Sequence, residues 1–323
     1  MIPTSASATS RAAAASVATA LFLLALKAYA LAATDSVAML GSLADSGLDL
    51  IAALVTLWAV RVAALPADHD HRYGHGKAEA LAALFQVGLI AASAAAIVWS
   101  AVDRLFAGSP PATPQYGIAV SLVAIAATFL LTAYQRRVIR RTGSVAIRAD
   151  YAHYQSDLLL NGAVIAALAL ESYAGLAGVD PLFGLGIAAW LAWNAAQAAG
   201  GAVNQLMDRE WPEERRHRFI EISMRHPANR GTHDLRTRTS GSAEFAQFHM
   251  WVDPTMSVAH AHDVMEEIEA ELAKEFPGVD ILIHVDPEGQ IDQPDNPLVE
   301  RIELFDVPAL GKQPRRRPIL RKM

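Results

Sequence analysis

The sequence predicts an α-helical membrane protein: six transmembrane helices followed by a small α+β cytoplasmic domain of order αββαβ. Three observations predict it. The 323 residues are 53% hydrophobic and only 19% charged, where a soluble domain carries about a quarter charged residues. The apolar residues gather into six long blocks between about 12 and 206. From 209 to 290 the composition turns soluble, with acids outnumbering bases 16 to 9.

The elements follow in order. Residues 1–11 form a short N-terminal stretch. Residues 12–208 form the transmembrane domain, with spans at roughly 12–33, 39–64, 79–106, 115–136, 145–172 and 181–205. Each approaches or exceeds the ~20 residues that carry a helix across ~30 Å of hydrocarbon. The longer ones imply tilt or extension beyond the bilayer. The first is too long for a cleaved signal peptide, and five more follow it. Turn chemistry marks the breaks, as at Ser109-Pro110-Pro111 and Asp180-Pro181. Lysine and arginine set the orientation. The loop between spans two and three, with its flanks, carries Arg61, Arg72 and Lys77. The loop between spans four and five carries Arg136, Arg137, Arg140, Arg141 and Arg148, while the opposite loops hold little beyond Arg104. Both basic loops and both termini are therefore expected on the cytoplasmic side of the cell (inner) membrane.

In 209–290, Trp211-Pro212-Glu213-Glu214 reads as a helix start, with proline and acids in the first turn. That helix runs to about Arg225. Alternating segments near 232–240 and 244–252 read as strands. A second helix covers about 257–275, stopped by Pro277-Gly278, and a last strand runs from Val279 to Asp286. Helices are expected on one face of the sheet. Residues 291–323 show no periodicity and end in a basic patch of Lys312, Arg315, Arg316, Arg317, Arg321 and Lys322. This tail is expected to be mostly disordered. Two readings of the patch stay open, contact with anionic lipid headgroups or a solvated end.

The chain has no cysteine, which excludes disulfides, thiolate metal sites and cysteine nucleophiles. A net charge of −6 gives no reason to expect a nucleic-acid partner. The eleven histidines and the acids remain as metal ligands.

Three clusters call for chemistry. Span two holds Asp45 and Asp49, and span five holds His153 and Asp157. Each pair is spaced i, i+4 and so projects from one helix face. Charge in mid-membrane is costly, and a divalent cation would neutralise it. Two helices giving two ligands each can build a tetrahedral N/O site suited to Zn²⁺. Ser42 and Asn161 extend the same faces by a turn. Lys27 in span one reads as structural, by snorkelling or pairing. The second cluster is the cytoplasmic loop, where Asp68, His71 and His75 have ligand spacing and Gly74 and Gly76 allow a tight turn. The other reading of this loop is an ordinary solvated connection. The third cluster is His233, His249, His262, His284 and Asp286. His284 and Asp286, two apart on a strand, share a face. The five could hold two metals with Asp286 bridging, or they are isolated surface histidines. His217, His226 and His260 show no partner in the sequence.

At these residues the sequence resembles the cation diffusion facilitator family over about 2–290. The features are Asp45-x3-Asp49, His153-x3-Asp157, the loop Tyr73-Gly74-His75-Gly76-Lys77 and the strand-end His284-x-Asp286. The resemblance implies a ferredoxin-like cytoplasmic domain and a transport site of Asp45, Asp49, His153 and Asp157. It implies a loop site of Asp68, His71 and His75, and a binuclear cytoplasmic site of His233, His249, His262, His284 and Asp286. It further implies a homodimer that exports Zn²⁺, and also Cd²⁺ or Fe²⁺, in exchange for protons. Lys77 and Asp208 match a charge interlock near the dimer interface.

The expected function is thus a secondary transporter, not an enzyme. A membrane-embedded zinc hydrolase would need an open coordination position and a general base, and there is no H-E-x-x-H motif. A membrane-anchored metal sensor without transport is the alternative that the cytoplasmic cluster alone would permit. The mixed imidazole and carboxylate set favours borderline ions such as Zn²⁺, Cd²⁺, Fe²⁺ or Co²⁺ over Mn²⁺ or Mg²⁺.

Overall fold

The structure is a computed structural model that describes residues 4–34, 37–107, 115–174, 179–290 and 301–303. The Ser109-Pro110-Pro111 break, the basic patch and the side chain of Ser42 lie outside the described residues. The chain forms two compact units that divide after Met207.

The first unit is helical. It contains α1 (Thr4–Thr34), α2 (Val37–Ala63), α3 (Ala78–Ala107), α4 (Gln115–Thr142), α5 (Val145–Ala174) and α6 (Val179–Leu206). These match the six expected spans. Among the described residues, four segments are long and apolar enough to cross a membrane: Ser7–Ala32, Asp45–Ala63, Ala78–Asp103 and Leu122–Thr142. The fourth helix runs a turn and a half beyond its expected end at 136. Arg140 and Arg141 sit in that last turn, where cations suit the helix C-terminus. Gly143, at φ +65°, then stops α4. Pro181 was read as part of a break. It falls instead in the first turn of α6, where its missing N–H is not needed.

Small residues let these helices approach closely. Ala12, Ala13, Ala59 and Ala146 are fully buried in one cluster between α1, α2 and α5, and Ala80, Ala83, Ala149 and Ala202 join α3, α5 and α6. Large apolar side chains point outward instead, among them Trp58, Trp99, Leu130 and Trp193. With charges inside and apolar rings outside, the unit has the inverse of a soluble surface, as a lipid surround requires.

The second unit is a layer of helices on a sheet. It contains α7 (Glu213–Ser223), β1 (Gly231–Ser240), β2 (Ala243–Val252), α8 (Val258–Glu275), β3 (Val279–Pro287) and a three-residue β4 (Arg301–Glu303). The sheet order is β3-β2-β1-β4, with β2 and β3 parallel and β4 antiparallel to β1. The sequence foretold all but β4, which falls in the segment expected to lack regular structure. One face of the sheet packs with both helices into a core that includes Phe219, Phe248, Ile268, Leu272 and Phe276. Trp211 stacks on Phe276, and Arg215 lies 4.1 Å above the Trp211 ring while forking onto Glu244 at 2.6 and 2.7 Å.

Alternation then puts the chemistry on the other face. Along β2, Ala246, Phe248, Met250 and Val252 enter the core, so His249 and Trp251 point away from it. In the parallel ladder His249 pairs with His284 and Trp251 with Asp286. Along β1 the alternation is broken, because Asp234 adopts a left-handed φ of +49°. Leu235 enters the core, yet His233 two residues earlier stacks with His249 and Trp251. Asp234 acts as a bulge that turns His233 to the far face.

Candidate metal centre

The membrane unit brings α2 and α5 together at their paired ligands. The His153 Nε2 lies 2.9 Å from Asp49 Oδ1 and 3.8 Å from Asp157 Oδ2. Ligand atoms of Asp49, His153 and Asp157 all lie within 4.8 Å of one another, with Asp49 and His153 buried. Asp45 is not in this group. It is exposed on α2, one turn from Asp49, within electrostatic reach of Asp49, Lys27 and His153. The expected four-ligand shell is therefore a three-residue group with a fourth acid close by. Asn161 donates to the Asp157 backbone carbonyl at 2.7 Å, which settles it as local support. Lys27 donates to Ser46 at 2.6 Å, so it is held by pairing.

The loop site also assembles. Asp68 accepts from the backbone N–H of His71 at 2.6 Å and of Asp70 at 3.0 Å. Its other oxygen lies 3.3 Å from His75 Nε2, and the His71 and His75 rings are 4.5 Å apart. The His71 N–H and then its imidazole hold the Asp68 carboxyl below its ordinary range. Gly74, at φ +77°, makes the turn that brings His75 back. Two imidazoles and an acid offer ligand atoms all within 4.8 Å of one another on a mostly exposed loop.

The third cluster converges on Asp286. Its Oδ2 lies 2.9 Å from His249 Nδ1 and 3.2 Å from His233 Nε2, and its Oδ1 lies 3.2 Å from His284 Nε2. His233 is buried, and its Nδ1 has no hydrogen-bond partner among the described residues. A buried imidazole nitrogen left unmatched beside an acid calls for a partner, and a cation would supply one. Burial, then the nearby His249, holds His233 below its ordinary 6.5 and so in the neutral form that binds metal. The residues fit a metal ion. His262 does not join them. It is exposed on α8 and pairs with Glu266 at 3.5 Å, one helical turn on. Of the five expected residues, His233, His249 and Asp286 have ligand atoms all within 4.8 Å of one another, and His284 meets Asp286 beside them. His226, which showed no partner in the sequence, meets Glu267 at 2.9 Å, and His217 meets Glu213 at 3.5 Å.

Lys77 donates to the Leu206 carbonyl at 3.3 Å. Asp208 has a left-handed φ of +53° and lies 3.9 Å from Arg238.

Two features escaped the sequence reading. One is Asp234, whose carboxylate sits 4.0 Å from His249 and holds Arg236. The other is a fully buried network around Asp150, whose only sequence signals were isolated polar residues inside apolar spans.

Comparison with known proteins places the chain in a family. Residues 13–207 match the cation efflux transmembrane domain, and residues 211–288 match the cation efflux protein cytoplasmic domain. The chain is 43% identical over 270 residues to a cation-efflux pump FieF of Pectobacterium atrosepticum, covering 84% of this chain and 90% of that protein. It is 44% identical over 265 residues to the FieF of Yersinia pestis, covering 82% and 88%. The solved metal-bound C-terminal domain of the CzcD transporter from Thermotoga maritima matches 25% of this chain and 99% of its own length, at 28% identity and a TM-score of 0.24. The chain belongs to the cation efflux family, the cation diffusion facilitators, and is a multi-pass membrane transporter for metal cations.

Proposed function

We propose that the chain exports Zn²⁺ from the cytoplasm in exchange for protons, with Asp49, His153 and Asp157 as the core of the transport site. The observation that carries this reading is the 2.9 Å approach of His153 to Asp49 between two apolar helices. A borderline ion such as Zn²⁺ suits the imidazole and carboxylate donors, and Cd²⁺ and Fe²⁺ share that preference. The arriving ion relieves carboxylate repulsion and draws in Asp45 as fourth ligand. It requires His153 neutral, so loading from the cytoplasm releases a proton. On the far side, higher proton activity returns that proton to the site and the ion leaves. An imidazole is suited to this exchange because its ordinary pKa of about 6.5 lies between the two conditions.

The working unit is a homodimer in the inner membrane with both termini cytoplasmic, and Lys77 and Asp208 are its charge interlock on the family resemblance alone. The cytoplasmic group of His233, His249, His284 and Asp286 binds regulatory ions. It lies in an anionic unit, so bound cations reduce repulsion between the two copies.

The test is Zn²⁺ flux into proteoliposomes with and without a pH gradient. Flux that grows with the opposing proton gradient is expected. Asp49→Ala abolishes it, and Asp45→Ala raises the zinc KM while leaving measurable transport. Absence of flux in the parent protein, with zinc binding intact, would instead favour a sensor that does not transport. Equal flux with and without the gradient would remove proton exchange.

A further inference from the structure

Asp150 is fully buried on α5, one turn before His153, and it is not among the metal-ligand groups. Its carboxylate collects donors from the surrounding helices. Ser16 on α1 donates to Oδ2 at 2.6 Å, Gln135 on α4 donates to the same oxygen at 2.7 Å, and Gln86 on α3 donates to Oδ1 at 3.0 Å. Gln86 uses the same amide nitrogen on Thr56 of α2 at 3.1 Å, and Gln135 uses its own on Ser16 at 3.0 Å. Next along α5, Tyr154 donates to the Ser16 carbonyl at 3.2 Å. Four of the six helices thus meet at one acid, and α2 joins them through Thr56 and Gln86.

Every group that touches the carboxylate is a donor, which is what an ionised acid needs. The two glutamines make the point more sharply. Their carbonyl oxygens are buried without a hydrogen-bond partner. Turning either amide over would aim its oxygen at Asp150, so the carboxylate holds both amides N–H first even though two oxygens go unmatched. Orphans of that kind need an explanation, and a negative hub supplies it. The hub's charge also reaches His153.

We propose that Asp150 is a positioning residue of the transport site: an anionic hub that fixes the rotation of α5 against α1–α4, so that His153 and Asp157 face Asp49. The alternative is simple structural glue, which would stabilise the bundle without tuning metal binding. A helix rotation moves ligands that sit on it, and metal sites tolerate little misplacement. The hub therefore acts on ion affinity more than on the rate of the loaded transporter.

This inference rests on the transport reading, and the parent protein's zinc flux tests that reading first. Given flux, Asp150→Asn keeps the shape but removes the charge and presents a donor where donors already converge. Its zinc KM, measured on monodisperse protein reconstituted in liposomes, is expected to rise about tenfold, the lower end of what supporting groups contribute around metal ligands. Maximal flux per folded protein changes less. A KM within about twofold of the parent would overturn the proposal, because glue alone predicts less folded protein with unchanged affinity. If Asp150→Asn does not fold, Gln135→Leu removes one donor and leaves the charge. A raised zinc KM in that variant supports the hub, and an unchanged one overturns it.

Discussion

Asp286 is the residue on which the cytoplasmic cluster depends, since three imidazoles lie within 3.2 Å of its two oxygens. Removing it leaves histidines with no shared acid and an uncompensated repulsion when they bind a cation. Asp286→Ala in the full chain is expected to lose most zinc binding at this site, by titration calorimetry. His262→Ala should leave that binding within about twofold, because mutations of residues that share no partner act independently. Equal losses from the two changes would put His262 back among the ligands. In the membrane unit, His153 is the only nitrogen donor of the Asp49, His153 and Asp157 group. His153→Asp makes that donor set all oxygen, which suits Mn²⁺ better than Zn²⁺. The ratio of zinc to manganese transport should therefore fall, and an unchanged ratio would defeat the ligand argument.

At the scale of elements, local backbone devices set where a strand turns and where helices begin. The left-handed Asp234 turns His233 off the core face of β1. Glycine adopts that backbone freely, whereas a β-branched residue is strained there by roughly 1–2 kcal/mol. Asp234→Val is expected to lower the melting temperature of the purified chain and weaken metal binding, while Asp234→Gly keeps the melting temperature near the parent. Equal melting of the two variants would show that the bulge does not depend on this conformation. The other device is Ser257, whose side chain accepts from the His260 N–H and starts α8. The α5 start is anchored differently. Ser144 accepts from the Ile147 N–H and donates to the buried Glu79 of α3 at 2.5 Å, so one serine joins two helices. The sequence made the helices legible, since apolar length alone defines a span. It did not make the bulge legible, because a left-handed aspartate leaves no periodic trace.

For the molecule as a whole, acid should loosen the cytoplasmic unit of the metal-free protein before it unfolds the membrane helices. Arg218 holds Glu221 and Glu275 below their ordinary 4.5, and the Thr255 hydroxyl and N–H hold Asp253 below 3.8. Carboxyls with depressed values stabilise the fold above their ordinary range, and that contribution disappears as pH falls through the depressed values. His233 acts earlier. Its imidazole is held below 6.5 in the fold, so below 6.5 the unfolded chain takes up a proton that the folded one does not. Glu269, raised by burial and by Glu266, pulls the other way, one group against four. Hydrogen-exchange protection factors at α7 and α8, corrected for the intrinsic slowing of exchange in acid, are expected to fall from about pH 6.5 downward and again below about pH 4.5, the ordinary histidine and carboxylate ranges. Protection that rose as pH fell would contradict the assignment.

What the sequence determined by itself was the class of the protein, its element order and most of the side chains that gather into its candidate metal groups. Hydrophobic length sets a membrane span without reference to anything distant, and i, i+4 spacing places Asp45 with Asp49 and His153 with Asp157 on shared faces before any helix has a neighbour. The αββαβ order was legible for the same reason, since alternation and helix signals are local. Only the tertiary structure decided which residues meet. Asp49 and His153 are 104 positions apart. Asp45 stays outside their group, His262 turns to Glu266 on its own helix, and His226 finds Glu267 across separate elements. Asp150 shows this most plainly: an acid with no evident partner in the sequence becomes a hub only when Ser16, Gln86 and Gln135 arrive from three other helices. Local periodicity reports which way a side chain faces, whereas a partner across the bundle depends on how helices rotate against one another, and no short stretch of sequence carries that angle.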